Sequence, residues 1–222
     1  MGKLQDSSRM EAFSDGVFGF AVTLIILDIR VPHIGEGRDG NVLWRSLLEL
    51  WPSFLALVLS FVTVFIMWMN HHVMFKCLRG IDARIAIANG LVLLLIMMVP
   101  FPTALVAEYL TSPSASTACA VYSAFFILVN AAFIRLWHSA TKNGRMLRPE
   151  VSPEFVNSIT KNLYIGLSVY VIATIVAFLL PALSILVCSA LWILWGRMAF
   201  MHFVPRNPKD DTKGSEIAPH EG

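Results

Sequence analysis

The sequence predicts an all-α integral membrane protein with six transmembrane helices. Of its 222 residues, 56% are hydrophobic and only 14% are charged, whereas an ordinary soluble domain carries roughly a quarter charged residues. The apolar residues form long uninterrupted runs, as lipid-facing helices do, and lack the amphipathic spacing of a soluble helical bundle. Each crossing of a bilayer core of about 30 Å needs about 20 helical residues.

Six segments of the sequence meet that length. They are residues 10–29, 51–75, 85–110, 115–137, 161–180 and 182–201. The first runs into polar residues without the small-residue cleavage site of a signal peptide, so we expect it to be retained as a helix. One helix over residues 161–201 would be about 60 Å long, twice the membrane. Pro181 therefore predicts a tight hairpin between the last two spans.

The distribution of lysine and arginine among the loops indicates how the chain is oriented in the membrane. The first loop holds Arg30, Arg38 and Arg45, and the third and fifth loops hold none. The other fourteen cations lie at the N-terminus, in or beside the second and fourth loops, or in the C-terminal tail. The positive-inside rule then places both termini of this multi-pass protein in the cytoplasm, with the plasma membrane as the expected location. Residues 204–222 are polar and lack apolar periodicity, which predicts a disordered tail after a membrane domain over 1–203.

Polar residues within the apolar helices are the candidate functional groups, because such residues are costly in hydrocarbon. Seven of them fall on the first three spans, in the cytoplasmic half of the bundle: Arg9, Ser14, Asp15, Trp68, His71, His72 and Asn89. We expect them to form a hydrogen-bonded network that holds the three helices together. For Asp15, a position at the level of the lipid headgroups remains an alternative.

The sequence predicts no metal site and no enzyme. The adjacent residues His71 and His72 point about 100° apart on a helix, unlike the i, i+4 pair that converges on one zinc ion. We expect structural hydrogen bonds from both, with a proton-relay role left open. Nucleotide-binding, GxSxG and HExxH motifs are absent from the sequence. We therefore expect no cofactor and no nucleic-acid partner.

One stripe of the first helix mixes small, polar and bulky apolar residues. Gly16, Phe20, Thr23 and Leu27 share this face, and Phe18 and Ile25 lie on the opposite one. Small residues on one face also allow two helices to pack closely, so periodicity alone does not distinguish a packing face from a pore. The sequence contains no TVGYG-type carbonyl filter.

The run Arg9-x-x-x-Phe13-Ser14-Asp15 resembles the signature of the transmembrane protein 175 family, potassium channels of lysosomes and of many prokaryotes. The surrounding RMEAFSDGVFGFAVTLIILDIRVP is similar to prokaryotic members in nearly every position type. Three later features also fit: Trp68 with the two histidines, Asn89-Gly90-Leu91, and Pro100-Phe101-Pro102-Thr103. The resemblance covers the first three spans well and the last three mainly by helix count.

The resemblance implies a homotetramer in which four copies of the first helix line a central pore that passes potassium ions down their gradient. It places a hydrophobic constriction at Phe20, with Gly16 before it and Thr23, Leu24 and Leu27 beyond it. Family members usually have isoleucine or leucine at this position. Phenylalanine would close the pore more tightly or present ring faces to a cation.

Two other functions remain open from the residues alone. One is a proton-coupled transporter of small solutes that uses Asp15 with His71 or His72 as its relay, and the other is a membrane scaffold without transport. An internal repeat would favour a transporter, and residues 1–110 and 111–222 show no convincing one.

Overall fold

The computed structural model describes residues 7–33, 40–142, 144 and 146–203. Over these ranges the chain forms eight α-helices and no strands apart from one isolated bridge between Leu78 and Leu147. The helices are α1 (Ser7–Leu24), α2 (Gly40–Glu49), α3 (Trp51–Lys76), α4 (Ala83–Met98), α5 (Pro100–Tyr109), α6 (Ala115–Thr141), α7 (Pro153–Ala177) and α8 (Pro181–Phe203). A 3₁₀ turn, Ile25–Asp28, follows α1. The predicted tail over 204–222 lies outside the described residues.

Six helical stretches are long and apolar enough to cross a membrane, as predicted. Two of them are interrupted: α2 and α3 together cover Gly40–Lys76, and α4 and α5 cover Ala83–Tyr109. The break before α5 falls at Pro100, which lacks an N–H and whose ring disfavours a continuous helix. The hairpin at Pro181 is confirmed, since α7 ends at Ala177 and α8 begins at the proline.

Two helical boundaries differ from the sequence prediction. Helix α2 was not expected, because residues 40–49 form only a short segment of mixed apolar and polar side chains. None of these residues is buried in the structure. Helix α7 begins at Pro153, eight residues before the predicted start. Its N-terminal turn is fixed by Ser152, whose hydroxyl accepts a hydrogen bond from Phe155 N at 3.2 Å, and by the proline in the first turn.

Helix α6 is the central element of the bundle. About half of its residues are buried, and it packs against α4, α5, α7 and α8. Helix α1 lies at the periphery, where it contacts α3 and α4. One side of α1 is therefore held by the bundle and the other is open.

Helices α6, α7 and α8 approach one another closely at Gly166. A Cβ atom at this position would overlap the Trp195 ring of α8 and lie 2.9 Å from Asn130 Nδ2 of α6. Both neighbours are buried, so an added methyl group fits only if the Trp195 ring and the Asn130 amide shift within the core. The absence of a side chain at Gly166 is what permits this packing.

We expect Gly166→Ala to destabilise the protein by about 1–3 kcal/mol, the usual cost of overpacking a filled core. The matched control is Gly196→Ala on α8, where an added Cβ has nothing within 4 Å and helix propensity favours alanine by about 0.5–1 kcal/mol. Thermal unfolding in detergent should show a lower melting temperature for the first variant alone. Equal melting temperatures for the two variants would contradict the close approach.

Candidate functional site: the exposed face of α1 and its polar anchor

Helix α1 has one buried and one exposed face. Ser14, Phe18, Ala21 and Ile25 recur every three or four residues and are buried against α3 and α4. The other face carries the stripe identified in the sequence: Gly16, Phe20, Thr23, Leu24 and Leu27 are all exposed. Phe20 retains 55% and Leu27 71% of its accessible surface.

No helix of the described chain packs on this stripe. A Cβ atom added at Gly16 or Gly19 would have nothing within 4 Å, so these glycines do not serve a close helix contact within one chain. The Thr23 hydroxyl donates to the Phe20 carbonyl at 2.9 Å, which satisfies its proton inside the helix and leaves its oxygen on the surface. The stripe is thus a mainly apolar surface that is free to face another copy of the chain or the lipid.

The buried face of α1 is fixed by a hydrogen-bonded chain across three helices. Asn89 of α4 is its centre: its Nδ2 donates to Ser14 Oγ of α1 at 2.9 Å, and its Oδ1 is 2.7 Å from His71 Nε2 of α3. The Ser14 hydroxyl donates in turn to the Met10 carbonyl at 2.8 Å. All three linking side chains are fully buried.

The tautomer of His71 follows from this geometry. Since an amide oxygen only accepts hydrogen bonds, Nε2 must carry the proton that it donates to Asn89. The imidazole is packed between two rings, with centroid distances of 5.2 Å to Phe18 and 4.3 Å to Phe75. His71 therefore sits in an apolar slot and is tied to its neighbours through one nitrogen.

A second set of contacts joins α1 to α3 beside the first one. It includes Asp15 and His72, the residues that directly follow Ser14 and His71 in the sequence. Trp68 Nε1 donates to Asp15 Oδ1 at 2.8 Å, and the Trp68 ring stacks on His72 with centroids 5.6 Å apart. His72 Nδ1 is 2.9 Å from Glu11 Oε1, close enough for an ion pair when the imidazole is protonated, although the two atoms are not aligned for a hydrogen bond. Asp15 is thus partnered by a neutral donor across the helix interface.

Glu11 is a member of this set that sequence reasoning did not select. The signal was available, since Glu11 and Asp15 are one turn apart on α1 and Trp68 and His72 are one turn apart on α3. Two such pairs on facing helices align when the helices pack side by side.

The structure brings six of the seven predicted network residues together and leaves Arg9 apart. Arg9 is exposed, and within the described ranges it forms no ion pair or hydrogen bond. It lies on the same face of α1 as Phe20, at the N-terminal end of the helix. Among the described residues, no three histidine, cysteine or acidic side chains come together as a metal site would require.

Comparison with known proteins identifies the family of this chain. Residues 9–100, which include α1 and both sets of polar contacts, match the family model described as endosomal/lysosomal potassium channel TMEM175. A potassium channel from Chamaesiphon minutus is 42% identical over 85% of this chain and 92% of its own length. A potassium channel from Streptomyces collinus is 38% identical over 87% of this chain and 93% of its own length.

Solved structures show the same fold. The crystal structure of a lysosomal potassium-selective channel TMEM175 homolog from Chamaesiphon minutus matches with a TM-score of 0.73 and 39% identity, over 87% of this chain and 97% of the other. A variant of the potassium channel MtTMEM175 matches over 92% of this chain and 93% of its own, with a TM-score of 0.59 and 18% identity. The chain belongs to the TMEM175 family.

Proposed function

We propose that this protein is a potassium-permeable cation channel that conducts passively down the electrochemical gradient. The observation that carries the proposal is the two-sided character of α1: a mainly apolar face is left open while the opposite face is anchored to α3 and α4. Relatives that match along nearly their whole length are named potassium channels. The protein is accordingly not expected to be an enzyme.

The channel would be a homotetramer with α1 at the four-fold axis. Four open faces would then meet, placing four Phe20 rings at the narrowest point with Thr23, Leu24 and Leu27 beyond them. A narrow apolar ring blocks ions by excluding water, so it needs no charge to act as a gate. The contacts of Ser14, Asp15 and Asn89 would be architectural, because they lie on the side of α1 that faces away from the axis.

The channel would lie in the plasma membrane with both termini in the cytoplasm. Of the described lysines and arginines, only Arg30 and Arg45 lie between α1 and α3, the connection that would face outward. The connections α5–α6 and α7–α8 contain no lysine or arginine. Residues 1–203 would form the membrane domain, followed by the polar segment 204–222.

Proton conduction is a second candidate function. The Bos taurus and Rattus norvegicus relatives are named endosomal/lysosomal proton channels; both are 28% identical to this chain, which spans about a third of their length. Asp15, His71 and His72 are the groups that would relay protons, either alone or in exchange for a small solute. All three are engaged in side-chain contacts on the buried side of α1, which favours the architectural role.

A flux assay in liposomes tests the proposal. Purified protein should release potassium down its gradient faster than sodium down an equal gradient, and it should do so without an imposed pH difference. Empty liposomes give the leak. A protonophore is added only in the potassium and sodium measurements, where it prevents a membrane potential from limiting the flux, and it is left out whenever a pH gradient is imposed or acidification is followed. Flux that requires a pH gradient, or acidification without potassium movement, would favour the proton alternative, and no flux of either ion would favour a scaffold.

A further inference from the structure

A basic groove opens between the first turn of α4 and the last turns of α6. Its volume is about 480 Å³. Its lining includes Asp82, Arg84, Ile87, Arg135, His138 and Lys142. These ends of α4 and α6 face the cytoplasm in the orientation given above, so the groove lies at the level of the inner headgroups.

The groove combines cations from two helices. Arg135, His138 and Lys142 follow the i, i+3, i+7 spacing of one face of α6, and Arg84 faces them from α4. All four side chains are exposed. The lining also contains the carboxylate of Asp82, which caps α4 by accepting a hydrogen bond from Ile85 N at 2.9 Å. Three permanent cations against one carboxylate leave the groove positively charged.

Apolar stripes run from the groove into the membrane on both helices. On α4, Ile87 and Leu94 continue the face of Arg84 and are 67% and 57% exposed. On α6, Leu128 lies two turns from Arg135 on the same face and is 58% exposed. The cationic groove therefore ends where apolar surface begins, at the depth where a phospholipid changes from headgroup to acyl chain.

We propose that this groove binds the phosphate of an anionic phospholipid in the cytoplasmic leaflet, with the acyl chains lying along the two stripes. A guanidinium holds a phosphate through two parallel N–H···O bonds, and Arg84 and Arg135 would grip it from opposite sides. Basic pockets between transmembrane helices on the cytoplasmic side suit such headgroups. The inference depends on the membrane topology and is independent of which ion the protein conducts.

The experiment counts lipids that remain bound to the purified protein in native mass spectrometry. Wild-type protein should retain phosphatidylglycerol or cardiolipin in preference to phosphatidylcholine. The double variant Arg84→Gln, Arg135→Gln should bind the anionic lipid about tenfold more weakly, since each basic side chain near a membrane surface contributes to the attraction. The double variant Lys161→Gln, Arg197→Gln is the matched control, because it removes the same charge from exposed positions on α7 and α8.

Two results would overturn the proposal. Equal loss of lipid in the control variant would show that net charge, and not the groove, holds the lipid. Displacement of the bound lipid by millimolar inorganic phosphate would make the groove a site for soluble phosphate. If the double variant does not fold, Lys142→Gln at the end of α6 should still weaken lipid binding, and unchanged binding there would contradict the assignment.

Discussion

Phe20→Ala is expected to raise basal potassium flux about tenfold and to weaken the discrimination against sodium. In the proposed tetramer the four rings exclude water from the axis, and a tenfold increase corresponds to lowering that barrier by about 1.4 kcal/mol. The ring is 55% exposed in the single chain, so its removal leaves little cavity inside the bundle. Phe20→Asn should also raise flux, because a polar side chain allows water to enter the constriction.

The matched control is Phe178→Ala, which removes a ring that is also exposed (67%) and lies directly after the C-terminal end of α7, away from the stripe. It should leave flux per tetramer unchanged. Phe18 answers a different question, since its ring is buried beside His71 and its truncation should cost about 3–5 kcal/mol of stability. Phe20→Ala protein with wild-type conductance would remove Phe20 from the gate. Lower tetramer yield with unchanged flux per channel would make the stripe a packing face.

Asn89→Ala should reduce stability and tetramer yield without changing the potassium-to-sodium ratio. The substitution removes the partner of His71 Nε2 and of Ser14 Oγ, both fully buried. Stranded polar groups cost about 1–3 kcal/mol each, which predicts a loss of about 2–6 kcal/mol for the two together. Thermal unfolding and size-exclusion chromatography in detergent measure the loss, and the liposome assay measures the ion preference.

The control for this substitution is Asn162→Ala on α7. Its amide donates to the Met198 sulfur at 3.4 Å, a weak acceptor, so its loss should cost much less. Wild-type stability of Asn89→Ala would show that the hydrogen-bonded chain does not anchor α1. A stable Asn89→Ala protein with an altered ion ratio would instead place this residue beside the ion path.

Hydropathy and periodicity were sufficient to predict the six spans and the meeting of most of the polar residues. Long apolar runs left few alternatives to six membrane helices, and polar residues at one depth on three neighbouring spans had to meet because hydrocarbon offers them no other partner. The same reasoning did not reach α2, whose ten residues are too few and too polar to be recognised as part of a span. It also placed the start of α7 too late, because four of the first eight residues of that helix are polar.

The pairing within the polar cluster depends on how the helices are rotated, which sequence spacing gives only in part. The choice of Asn89 as the link between His71 and Ser14 requires the relative height of three helices. Arg9 belongs to the family signature, yet its position on the α1 wheel puts it on the exposed side, away from Asp15. Glu11 was overlooked because an acidic residue in the first turns of a helix is ordinarily solvated there.

The anchor on α1 also restricts how such a channel would open. Turning α1 about its own axis to move Phe20 aside would pull Ser14 away from Asn89 and Asp15 away from Trp68 at the same time. The N-terminal half of α1 is therefore expected to move only together with α3 and α4, as a single rigid body that tilts outward. The far end of α1 continues into the 3₁₀ turn Ile25–Asp28, which is held by the packing of buried Ile25 on α3 and by none of these hydrogen bonds. We therefore expect the pore to widen more at the C-terminal end of α1 than at its N-terminal end.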